Sequence, residues 1–178
     1  MGVRQGLVYI AAVVVTVASL GVAACGNTTG AGATPSATPD SVASAPRSDA
    51  GAAGPAVVLL PDGLAPARVR VSLARTEAQQ QRGLMYVQNL PVDDGMLFLF
   101  DIEKVQGFWM KNTLIPLDMI FIRSDMTVVG IVANAKPLSL ETLSVGQPSR
   151  FVLEVNGGWS AQHGVTAGTK VQFDNVSP

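Results

Sequence analysis

The chain has 178 residues, a formal net charge of −1, one cysteine and one histidine. A nearly neutral chain has no electrostatic reason to seek nucleic acid or anionic lipid. A single cysteine excludes an internal disulfide, and with a single histidine it leaves no zinc cage.

In chain order, the first informative residue is Cys25. One early charge, Arg4, precedes an apolar run from Leu7 to Leu20 and the small residues Val22-Ala23-Ala24. This is the pattern of a secretory signal with a small-residue cleavage site. Val22-Ala23-Ala24-Cys25 resembles the lipobox of bacterial lipoproteins. That resemblance implies removal of residues 1–24 and acylation of Cys25, which anchors the protein to the lipid bilayer. Each buried methylene contributes about 0.8 kcal/mol, so two acyl chains hold stably where one does not. The competing reading is an uncleaved spanning helix over Leu7–Ala24, which is just long enough. Both readings set the rest of the chain on the extracytoplasmic side of a cell membrane.

Gly26–Pro55 consists of Gly, Ala, Ser, Thr, Pro, Asn and Asp, with Val42 and Arg47 as exceptions. It cannot bury enough apolar surface to offset its chain entropy, so residues 25–55 are expected to form a disordered tether. As a coil it reaches on the order of 30 Å. A single domain is expected over 56–174, large enough for one core, with 175–178 as a tail. A monomer is expected.

Arg68–Leu73 alternates strictly and predicts a strand with Val69, Val71 and Leu73 on one face. Thr76 is a good N-cap, Gln79 stands at the capping-box position and Gly83 is placed to end the helix. Met96–Phe100 is a continuous apolar run and suits a strand buried on both faces. Asp118–Ile122 and Thr127–Val132 flank a turn at Arg123–Met126 and predict a hairpin. Arg150–Val155 and Lys170–Phe173 read as strands, with a short helix over Trp159–His163. The expected fold is mostly β: a compact antiparallel sheet or partly closed barrel with one or two short helices.

No Walker loop or dinucleotide fingerprint is present, and no cofactor or metal is expected. Ser160 and His163 are three apart on the short helix, but no nucleophile-elbow sequence surrounds the serine. The distinctive segment is Gly107–Asp118. Pro116 forbids a regular helix there and favours extended geometry at Ile115. Lys111, Asn112 and Thr113 are therefore expected where a strand ends and turns, at a sheet rim.

Arg82-Gly83-Leu84-Met85, Gly95-Met96-Leu97-Phe98, Phe108-Trp109-Met110-Lys111-Asn112-Thr113 with Pro116-Leu117-Asp118, and Val152–Gly158 occur in this order. Together they resemble the bacterial and archaeal domain-of-unknown-function family numbered one hundred and ninety-two, from about Val69 to Phe173. The resemblance implies a small, often exported, barrel-like domain without an established activity. It differs at Met126, where the family usually has Gly in the hairpin turn.

The motifs carry Arg82, Trp109, Lys111, Asn112, Thr113, Asp118 and Glu154 as candidate ligand-binding residues. The structural alternative is that Arg82 pairs with Asp118 or Glu154 while Asn112 and Thr113 bond the turn backbone. Trp109 and Met110 also suit packing beside a sheet. The functional expectation is a binding module for a small envelope ligand or glycan, or for a protein partner, with Trp109 or Trp159 as an aromatic plate for a glycan. The alternatives are a hydrolase using Asp118 and Glu154 as a carboxylate pair with Lys111, and a structural accessory of an envelope complex.

Overall fold

The structure, a computed structural model, describes residues 54–177. The signal, Cys25 and all but the last two residues of the expected tether lie outside the described residues. The strands are β1 (Ala56–Leu60), β2 (Ala67–Ala74), β3 (Asp94–Val105), β4 (Leu117–Ile122), β5 (Val128–Ala135), β6 (Pro148–Asn156) and β7 (Lys170–Asp174). Two short helices, α1 (Glu77–Arg82) and α2 (Trp159–Gln162), complete the set.

One seven-stranded sheet runs in the order β5-β4-β6-β3-β2-β1-β7. Its pairs are antiparallel except β2 with β3, which are parallel and joined through α1. The sheet curls until its edges touch. Thr127, just before β5, bridges Lys170 of β7, and the amides of Val128 and Val171 donate to the carbonyls of Thr169 and Met126. The fold is mostly β, a partly closed barrel.

Each expected strand forms, and the structure adds β1, an apolar run between Pro55 and Pro61. In β2 the alternation holds: Val69 and Val71 are buried while Arg68 and Arg70 face solvent. Arg70 pairs with Asp94 on β3 at 2.6 Å, and Arg68 pairs with Asp174 on β7. In α1 the capping box is present: the Thr76 hydroxyl accepts from the Gln79 amide, and the Gln79 side chain accepts from the Thr76 amide. Gly83 ends the helix at φ +48°.

Met96–Phe100 is indeed two-faced, and the faces build two cores. Leu97 and Leu99 point into the curl with Val69, Ile120, Leu153 and Trp159. Phe98 points outward with Met110, Met119, Phe121 and Val152. The outer core is closed by α1 and the irregular segments that follow α1, β3 and β5. Segment 106–116 is therefore a cover over the sheet, held by a bridge at Phe108–Leu143 and by backbone bonds to Tyr86, Leu138, Ser139 and Gly157, and is not the end of a strand.

Candidate functional site

Strand parity decides where the two motif acids go. Asp118 lies opposite Val155 across β4 and β6, whereas Glu154 lies opposite Met119. Cross-strand partners share a face and neighbours alternate, so Asp118 and Glu154 project to opposite sides of the sheet. A hydrolytic pair of these two carboxylates is excluded by that geometry.

Asp118 is fully buried and fully engaged. Its Oδ1 accepts from the amides of Asn134 (2.8 Å) and Gly158 (2.9 Å), and its Oδ2 from that of Ser160 (2.9 Å). It ties β5 and the start of α2 to β4, so its role is architectural. The expected pairing of Arg82 with either acid does not form: among the described residues the ion pairs are those of Arg68 and Arg70.

Glu154 is buried and has no hydrogen-bond partner among the described residues. Met96 and Met119 flank it in the sheet. Burial alone pushes its carboxyl up to about 8, so it is protonated at neutral pH. Its side chain lines a cavity of about 270 Å³ between the outer face of the sheet, α1 and segment 106–113. Gly95 positions this strand: a Cβ at Gly95 would come within 2.5 Å of the Glu154 carbonyl oxygen.

Of the expected site residues, Arg82, Trp109, Thr113 and Glu154 line the cavity. Trp109 is 51% exposed at the mouth, so it is not a core residue, while Met110 beside it is fully buried. Lys111 lies outside, its Nζ 5.2 Å from the Trp109 ring centre. Asn112 takes a left-handed turn at φ +56° and donates to the Tyr86 hydroxyl at 2.9 Å. The Thr113 hydroxyl donates to the Lys111 carbonyl, as the structural reading expected, whereas the Asn112 side chain bonds the Tyr86 side chain and not the turn backbone.

Trp159 cannot serve as an exposed plate, because it is buried and stacks on His163 at 4.0 Å between ring centres. The histidine Nδ1 contacts the Trp159 carbonyl at 2.9 Å, and the Ser160 Oγ has no partner among the described residues, so no Ser–His dyad forms.

The aromatic wall was not anticipated. Phe108 meets Phe98 and Phe100 edge-on, at 5.1 and 6.3 Å between centres, and all three line the cavity. Nor were Gln80, Gln81 and Gln106, which line it too. The run Gln79-Gln80-Gln81 was visible, but only the docking of α1 across the sheet makes it part of a site.

The model of family DUF192, described as an uncharacterized ACR, matches residues 58–173. The chain belongs to this family. A candidate transcription regulator from Sinorhizobium meliloti 1021 is 37% identical with a TM-score of 0.65, over 67% of this chain and 92% of that one. A protein of unknown function from Novosphingobium aromaticivorans DSM 12444 is 40% identical with a TM-score of 0.63, over 66% and 83%. No curated protein matches the chain.

Proposed function

We propose that this DUF192 protein is a lipid-anchored binding protein of the cell envelope, held through acylated Cys25, whose outer-face cavity takes a small ligand. The observation that carries the binding reading is Glu154: an ionisable group, buried, without a partner among the described residues, at the wall of an open cavity. Perturbed groups in cavities mark functional sites more often than random positions do. At about 270 Å³ the space sits at the small end of ligand sites, enough for one ring or a short chain. Trp109 at the mouth offers the face that a sugar ring or another flat apolar group stacks against. The anchor reading rests on Val22-Ala23-Ala24-Cys25 and the tether composition.

Titration calorimetry against cell-wall mono- and disaccharides and stem peptides tests the binding reading, with Trp109→Ala as the control. Binding that weakens at least fivefold in the variant supports the cavity; equal binding to both places the ligand elsewhere. Mass spectrometry of the mature protein tests the anchor. A diacylated amino-terminal Cys25 is expected, and a free thiol with an intact leader would overturn it.

A further inference from the structure

The polar atoms of the cavity are unequally spent. The Gln80 Nε2 donates to the Leu99 carbonyl at 2.8 Å, the Gln81 Nε2 to the Glu77 carboxylate at 3.0 Å and the Gln106 Nε2 to the Ser149 carbonyl at 3.4 Å. Each amide thereby turns its nitrogen to the protein and leaves its Oε1 without a donor among the described residues; Gln80, whose Nε2 also reaches the Arg75 carbonyl at 3.5 Å, has both N–H groups engaged. The Thr113 hydroxyl spends its hydrogen on the Lys111 carbonyl. A ligand meets the three amide oxygens, one remaining N–H on each of Gln81 and Gln106, the Arg82 guanidinium, the Glu154 carboxyl, which has no partner among the described residues, and the walls of Phe98, Phe100, Phe108 and Trp109. Aromatic faces attract cations, and a buried carboxyl without a partner lacks only a counter-charge.

Resting on the ligand-cavity reading, we propose that the site selects a small organic ammonium ion. Glu154 supplies the counter-charge, the glutamine oxygens accept the N–H groups and the aromatic rings enclose the alkyl or ring portion. The charged groups facing the cavity from the surrounding elements are Glu77 and Arg82 on α1, with Lys111 beside Trp109; β3 and β4 contribute none. Arg82 is solvent-exposed. Arg82 and Lys111 are the groups that would favour an anion instead.

Three probes of one shape separate these chemistries: benzylammonium, benzyl alcohol and benzoate, titrated by calorimetry and Trp109 emission. Below the folded-state range of Glu154, a bound cation must displace the carboxyl proton. Affinity for benzylammonium is therefore expected to rise about tenfold per pH unit from pH 6 to about 8, then level off, with close to one proton released per ligand at pH 7. At pH 8.5 it is expected to bind at least tenfold more tightly than either isostere. Glu154→Gln is expected to remove both the preference and the proton release, and Trp109→Ala, at an exposed position, weakens binding without a folding defect. Equal binding of the alcohol, tighter binding of benzoate, or pH-independent binding of the cation overturns the ammonium assignment while the cavity stands. No heat and no emission change with any probe overturns both readings.

Discussion

Glu154 and Asp118 are both motif acids on adjacent central strands, yet burial acts on them in opposite ways. Asp118 is surrounded by backbone donors; Glu154 is surrounded by methionine and aromatic carbon. Because its carboxyl is raised in the folded state, the native protein binds more protons than the unfolded chain between the ordinary carboxyl range and about pH 8. Stability should therefore fall as pH rises through that window and flatten above it. The loss should amount to a few kcal/mol, since each tenfold change in proton affinity is worth about 1.4 kcal/mol. Glu154→Gln should flatten the profile and leave the variant more stable than the native protein at pH 8.5; parallel melting curves across pH would contradict this. Asp118→Asn has the opposite sign. It replaces one acceptor by a donor that faces a backbone N–H, so urea unfolding should show a loss of about 2–4 kcal/mol. Gly95→Ala is the third residue-scale case. The Cβ cannot fit against the Glu154 carbonyl, so β3 and β6 must separate locally. A loss of about 3 kcal/mol or more is expected, with the melting temperature as the measure.

Among the elements, those written into local pattern were readable. The alternation of β2 and the Thr76–Gln79 box depend on neighbours in the chain, and both form as the sequence indicates. β1 was not read, because a five-residue apolar run between prolines has no distinguishing period. The hairpin turn between β4 and β5 shows how a departure from the family pattern is accommodated. Met126 adopts φ +61°, the conformation that Gly takes without cost, and its side chain packs on the inner core in return. Removing the side chain while keeping the strain should be worse than removing both. Met126→Ala is therefore expected to be less stable than Met126→Gly by about 1 kcal/mol in chemical denaturation. The reverse order would show that the turn carries no strain.

On the scale of the molecule, closure links the edges β5 and β7. β7 contributes Val171 to the inner core, Phe173 against Phe151 at 5.0 Å and Asp174 to the Arg68 pair. A chain ending at Gly168 loses these at once and leaves β1 with an unpaired edge. Such a truncation is expected to lose cooperative thermal unfolding and to aggregate; a sharp melt within 5 °C of the native value, a drop no larger than about 1 kcal/mol gives, would show that closure is dispensable.

The sequence by itself determined what depends on short-range pattern: the strand alternation, the helix cap, the β-rich class and the family motifs. Tertiary structure alone decided which motif residues meet. Register sends Asp118 and Glu154 to opposite faces, and the covering segments bring Phe108, Trp109 and Gln80 into one cavity with Phe98 and Glu154 of the sheet. Periodicity records which way a side chain points relative to its neighbours, but not which element will be laid over it. The site consists of that second fact.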